Sequence, residues 1–340
     1  MNYFQRYLVE EFAEDYQEGH LTRREALKLI TAVTGSLLLA NSILAGCAPP
    51  AGTQATASPT QASLPAASPG ETPAATSTPE QQPTATEAPA GETAEPPSAP
   101  TSGTVSPDDA AIEAEAVQFP GEGATLLGYL ARPAEEGSYP VVLVCHENRG
   151  LTEHIQDVTR RLAKAGYVAL AVDLLSRQGG TEAVGSENVP GALTSMQPEQ
   201  YVQDFSSGWR FLQEQPSAQA ERVGMVGFCF GGGVTWLMAT RMPELLAAVP
   251  FYGPHPPVEE VPNINAAVLA IYAERDDRIN QGIPAIEAAM QEHNKVYEKV
   301  IYPDADHAFH NDTGPRYNPE AAQDAWSRTL VWFEQYLKAP

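Results

Sequence analysis

A cysteine stands among glycines in Gly227-Phe228-Cys229-Phe230-Gly231-Gly232, with the strand-like run Arg222 to Val226 before it and a helix-forming stretch, Gly233 to Arg241, after it. A strand, a sharp turn and a helix in that order lift the side chain at the turn clear of the backbone, as a nucleophile requires. Such a turn strains its central residue, and small neighbours let strand and helix approach closely. A thiol at a helix N-terminus is also expected to ionise more readily than a free cysteine. The nucleophile needs a base, and the base needs a carboxylate to orient it. Both stand further along, each after an apolar run: Ala267 to Tyr272 leads to Asp276 and Asp277, and Tyr297 to Tyr302 leads to His307. His307 would hold or move a proton at the sulfur, while Asp276 would fix the imidazole tautomer and stabilise its charged form. Asp277 reads as a solvated neighbour and His310 as a loop residue near the site.

The elements that must position these residues alternate. Strands are expected at 141–147, 167–174, 222–226, 247–252, 267–272 and 297–302, with helices at 155–165, 200–213, 233–241, 283–293 and 319–337. This is the pattern of an α/β fold of the α/β-hydrolase type, a doubly wound, mostly parallel sheet with helices on both faces. Ala124 to Arg132 suits an antiparallel edge strand. In this plan the loop after the first parallel strand, His146-Glu147-Asn148-Arg149-Gly150-Leu151, supplies one backbone N–H of an oxyanion hole, and the residue after the nucleophile supplies the other. Asn148 and Phe230 are the candidates. A zinc reading of His146-Glu147 fails because Gly150 stands where the second histidine of H-E-x-x-H is needed. No metal and no cofactor are implied.

The His146 to Leu151 loop, the elbow at Cys229, Asp276 and the His307-Ala308-Phe309 segment together resemble the dienelactone hydrolase (carboxymethylenebutenolidase) family over about Glu113 to Leu337. The resemblance implies a Cys229–Asp276–His307 triad and a resting partnership between the thiol and Glu147, which accepts the thiol's proton when substrate binds. It implies attack of the thiolate on an ester or lactone carbonyl, and hydrolysis of the resulting thioester by water with His307 as base. Family members that cleave dienelactone hold its carboxylate with arginines, one of them four residues after the catalytic histidine. Here that position is Asn311, and the expected lid, Ser176 to Met196, offers only Arg177. Arg149 and Arg316 are the candidate substitutes. Two other readings share the fold: a broad-specificity carboxylesterase or thioesterase, and a non-catalytic cell-surface binding protein.

Three segments precede or make up the domain: 1–47, 48–109 and 110–340. Thr22-Arg23-Arg24-Glu25-Ala26-Leu27-Lys28 resembles a twin-arginine export signal, followed by the apolar stretch Leu29 to Ala45. Leu44-Ala45-Gly46-Cys47 resembles a lipobox, with Cys47 as the lipidated first residue of a mature, exported protein anchored at the bacterial membrane. Met1 to His20 is long and acidic for the head of such a signal, and composition assigns it no role. From Ala48 to about Asp109 the chain is Pro, Ala, Thr, Ser and Glu with almost no large apolar residue, so it reads as a disordered tether.

The net charge of −23 argues against nucleic acid and against electrostatic attraction to an anionic bilayer. The expected partner is a small ester or lactone, with the membrane reached only through the lipid. Three cysteines give no disulfide framework, and Cys145 reads as a buried apolar thiol.

Overall fold

The computed structural model describes residues 1–47 and 103–338. Most of the segment read as a tether lies outside the described residues. Its last stretch does not behave as one: Val105 is buried, its N–H donates to Asp157 Oδ1 at 2.6 Å, and its carbonyl accepts from Arg160 Nε at 2.5 Å. An apolar side chain and both backbone groups are satisfied there, so packing extends ahead of position 110.

Three helices come first, α1 (Tyr3–Gln17), α2 (Arg23–Thr34) and α3 (Leu37–Gly46). The apolar stretch expected from Leu29 to Ala45 is thus broken, and Gly35 ends α2 in the left-handed region at φ 68°. No helix among the described residues is long and apolar enough to cross a membrane.

The hydrolase unit follows as β1 (Ile112–Gly121), β2 (Ala124–Pro133), β3 (Tyr139–Cys145), α4 (Glu153–Lys164) and β4 (Val168–Asp173). Next come the short helices α5 (Thr181–Val184) and α6 (Val189–Ser195), then α7 (Pro198–Gln213), β5 (Ala218–Phe228), α8 (Phe230–Arg241) and β6 (Ala247–Phe251). The chain ends in β7 (Ala267–Ala273), α9 (Asp277–Asn280), α10 (Ile283–Glu292), β8 (Tyr297–Tyr302) and α11 (Pro319–Phe333). One eight-stranded sheet runs in the order β1-β2-β4-β3-β5-β6-β7-β8, parallel from β4 to β8. This is the α/β-hydrolase fold. The antiparallel strand expected at Ala124 is present, but the edge is β1, which pairs with β2 along its whole length. Only Ile112 and Phe119 of β1 are buried, so its sequence lacks the alternation that marks a half-buried strand.

The central strands β3, β4, β6 and β7 are buried at every position but Tyr139, as a parallel sheet covered on both faces requires. Two glycines of β5, on opposite faces of the strand, show the two layers. A Cβ at Gly224 would meet Phe333 and Leu337 at the C-terminal end, whereas one at Gly227 would meet Gly231 and Thr235 of α8. α11 therefore covers one face and α8 the other, and both lie close because the strand carries glycine at each contact.

Candidate active site

The right-handed crossovers of such a sheet bring the loops after β3, β5, β7 and β8 to one end, and Glu147, Asn148, Cys229, Asp276 and His307 lie there. Cys229 closes β5 and caps α8 with φ 57° and ψ −119°, a strained conformation held by its N–H bond to Phe251 O at 3.1 Å. Gly231 lies so close to β3 that a Cβ there would sit 2.5 Å from the carbonyl oxygens of Cys145 and His146. Tyr252 at φ 33° and Ala308 at φ 65° are two further non-glycine residues in the left-handed region, one before the His307 ring and one directly after it in sequence.

Asp276 accepts from His307 Nδ1 at 2.5 Å and, at its other oxygen, from the Ile279 N–H at 3.4 Å. Burial alone would raise Asp276, but the His307 and Arg278 charges prevail and hold its carboxyl below its ordinary value. Burial likewise disfavours a charged His307; the Asp276 carboxylate and the Cys229 sulfur override it and raise the imidazole well above its usual range. The other ring nitrogen is directed at the elbow. Cys229 Sγ, a His307 ring nitrogen and a Glu11 carboxylate oxygen lie within 4.8 Å of one another. That donor set could take a soft divalent cation, though a nucleophile and base at work must be free of one.

Phe230 begins α8, so helix geometry leaves its N–H without an intrahelical acceptor. Asn148 lies nearly buried in the loop after β3. His146 secures that loop: its Nδ1 meets Glu147 O at 2.7 Å and its Nε2 accepts the Leu174 N–H at 3.2 Å, as a neutral ring does. Burial lowers its pKa accordingly.

Three expectations change. Glu147 does not lie against the resting thiol; its carboxylate accepts Asn311 Nδ2 at 2.7 Å. Arg149 is exposed, and Arg177 pairs with Asp204 at 2.8 Å. Cys229 is not an easily ionised thiol: burial raises its pKa, the Glu11 carboxylate adds to that, and the His307 charge opposes it. His310 stands in the loop after β8, near the site, and is buried: it stacks on Phe228 with centroids 5.0 Å apart and is held well below its ordinary pKa by burial.

Sequence reasoning missed α1, which lies across the elbow. Tyr7 Oη is 3.3 Å from Cys229 Sγ and 3.5 Å from His307 Nε2. Both Glu11 oxygens lie 3.6 Å from the sulfur, and Oε1 accepts Asn148 Nδ2 at 2.7 Å. The signal was legible locally: Asn2 and Gln5 form a reciprocal capping box, and Phe4, Leu8 and Phe12 repeat at helical spacing.

The sequence and the fold match those of other proteins. Residues 126–337 match the dienelactone hydrolase family. The chain belongs to that family, and with it to the carboxylic ester hydrolases. A carboxymethylenebutenolidase-like protein of Methylorubrum extorquens is 37% identical over 250 residues, covering 68% of this chain and 84% of that one. A Bradyrhizobium protein named as a 2-oxo-3-(5-oxofuran-2-ylidene)propanoate lactonase is 34% identical over 227 residues, covering 63% and 91%. The crystal structure of a dienelactone hydrolase-like protein from Klebsiella pneumoniae aligns with a TM-score of 0.63 at 35% identity. It covers 66% of this chain and 100% of its own.

Proposed function

We propose that this dienelactone hydrolase family member cleaves an ester or lactone bond of a small molecule with Cys229 as nucleophile, His307 as base and Asp276 as the residue that orients it. The observation that carries the reading is the 2.5 Å His307–Asp276 hydrogen bond, with the second ring nitrogen beside a sulfur on a strained elbow. Sulfur attacks the carbonyl carbon and His307 takes the thiol proton. The N–H groups of Asn148 and Phe230 receive the oxyanion. The leaving alcohol departs with the proton from His307, and water, deprotonated by the same ring, then hydrolyses the thioester. Glu147, tied to Asn311, holds the oxyanion loop in place. The names of the Methylorubrum and Bradyrhizobium relatives support a lactone as the substrate class.

The N-terminal segment fits export and lipidation at Cys47, with 48–102 as a tether. Recovery of a membrane-bound product beginning at a lipid-modified Cys47 would support that; a soluble product retaining Met1 would sink it.

The enzymatic reading is tested by hydrolysis of dienelactone, p-nitrophenyl butyrate and an acyl thioester, each beside Cys229→Ala. Turnover that survives Cys229→Ala contradicts the mechanism. Cleavage of neutral esters without dienelactone would keep it and move the substrate to the broader esterase class.

A further inference from the structure

Nucleophile, base and oxyanion loop are each covered by a side chain of α1. Tyr7 Oη lies 3.3 Å from Cys229 Sγ and 3.5 Å from His307 Nε2, in the gap between nucleophile and base. Glu11 spans the sulfur and Asn148 Nδ2. Cys229 and His307 are both buried. A sulfur that attacks a carbonyl needs its carbon within about 3–3.5 Å, and the leaving group needs the imidazole edge. With a phenol in that gap, an ester reaches neither.

The fit extends beyond the sulfur. Phe4, Leu8 and Phe12 form one buried stripe at helical spacing, and Phe4 packs on Phe230 and Tyr201 with centroids 5.0 and 5.2 Å apart. At the far end of the helix Asp15 accepts from Arg316 Nη1 at 2.8 Å and Glu14 from Arg278 Nε at 3.0 Å. The hydrolase unit makes room with glycine. A Cβ at Gly233, near the start of α8, would lie 3.2 Å from the Phe4 ring, and one at Gly191 of α6 would lie 2.8 Å from Ala32 O of α2. Gln5 Nε2 donates to Thr194 O at 3.2 Å and Lys28 pairs with Glu187 at 3.0 Å, so α1 and α2 also hold the segment expected as the lid.

We propose that the cleft above Cys229 is a receptor for α1, and that α1 is an internal inhibitor that keeps the intact chain latent. The inference rests on the enzymatic reading of Cys229 and adds regulation of that same site. Tyr7 is the plug, Glu11 ties it to the oxyanion loop, and the Phe4–Leu8–Phe12 stripe supplies the hold. Apolar packing alone would dock the helix; a carboxylate buried with it costs free energy that the Asn148 hydrogen bond must offset. Residues 48–102 join α1, α2 and α3 to the hydrolase unit. While that connection is intact, a displaced helix stays at high effective concentration and returns. Processing ahead of Cys47 would detach the three helices together and open the site.

The test follows alkylation by iodoacetamide on the peptide that carries Cys229. It uses the full chain, its Leu8→Asp variant, and a third form with a site-specific protease sequence within 50–99 that is cut after folding and then diluted. Alkylation should be at least tenfold faster in Leu8→Asp and in the cut, diluted form than in the intact chain, and turnover of p-nitrophenyl butyrate should rise in step. Concentrating the cut mixture should slow alkylation again as α1 rebinds, whereas the intact chain should show no dependence on concentration. Equal rates in all three forms would overturn the latency. A cut form that stays fast at every concentration would also overturn it, because loosening of the hydrolase unit would then explain the rate. Fast alkylation without turnover of any ester would leave the plug standing and refute the enzymatic reading instead.

Discussion

Glu11 and Cys229, 218 positions apart, meet in one cleft, with both carboxylate oxygens 3.6 Å from the sulfur. A carboxylate at that place disfavours the thiolate, so the helix that covers the thiol also makes it harder to ionise.

Burial and Glu11 hold the thiol above its ordinary pKa. Glu11→Gln in the full chain should therefore move the Cys229 titration, followed as thiolate absorbance at 240 nm against Cys229→Ala, to lower pH. An unmoved titration would mean that burial alone sets it.

The His307–Asp276 hydrogen bond is deeply buried, and in the proposed mechanism it orients the imidazole. Asp276→Asn in the Leu8→Asp background should lower kcat by about 10²- to 10⁴-fold with little change in KM, because the amide favours the wrong tautomer. A loss below fivefold would show that His307 works without it.

How much of this was legible before folding follows from range. The elbow was legible because strand, strained residue and glycines are contiguous, and Gly227, Gly231 and Gly232 have close-approach reasons that the structure bears out. Asp276 and His307 were legible because each follows an apolar strand. β1 was missed because Gln118, Glu113 and Glu115 lie on an edge strand with few buried positions. The helicity of α1 was written in its own stripe and cap. Its docking was not, because the partners Asn148, Cys229, Arg278 and Arg316 come from four separate segments that only the closed sheet brings together.

Gly231 tests the packing argument. Gly231→Ala would drive a methyl group into the Cys145 and His146 carbonyls and should cost about 1–3 kcal/mol or more. Gly314→Ala, whose Cβ would make only ordinary contacts at 3.5 Å and beyond, should stay within about 0.5 kcal/mol. Urea midpoints of the two variants decide it; equal midpoints would remove the close-approach reason.

Asp312 ties the loop after His307 to α4, accepting from His154 Nδ1 at 2.9 Å and from Arg161. The His154 bond, then Arg161, holds its carboxyl well below the ordinary range against the opposing effect of burial. A depressed folded value means that the stabilisation is fully present above the ordinary carboxylate pKa and is lost as pH falls through the folded one. Asp312→Asn should thus cost about 1.5–3 kcal/mol at neutral pH, shrinking below about pH 4. A penalty independent of pH would point to packing in place of charge.

The most direct measurement is mass spectrometry of the Leu8→Asp chain quenched in acid during turnover of p-nitrophenyl butyrate. A butyryl thioester on the peptide carrying Cys229, present during turnover and absent from Cys229→Ala, is the predicted result. An acyl group on any other residue, or none on Cys229 while p-nitrophenol is released, would contradict covalent catalysis by this cysteine.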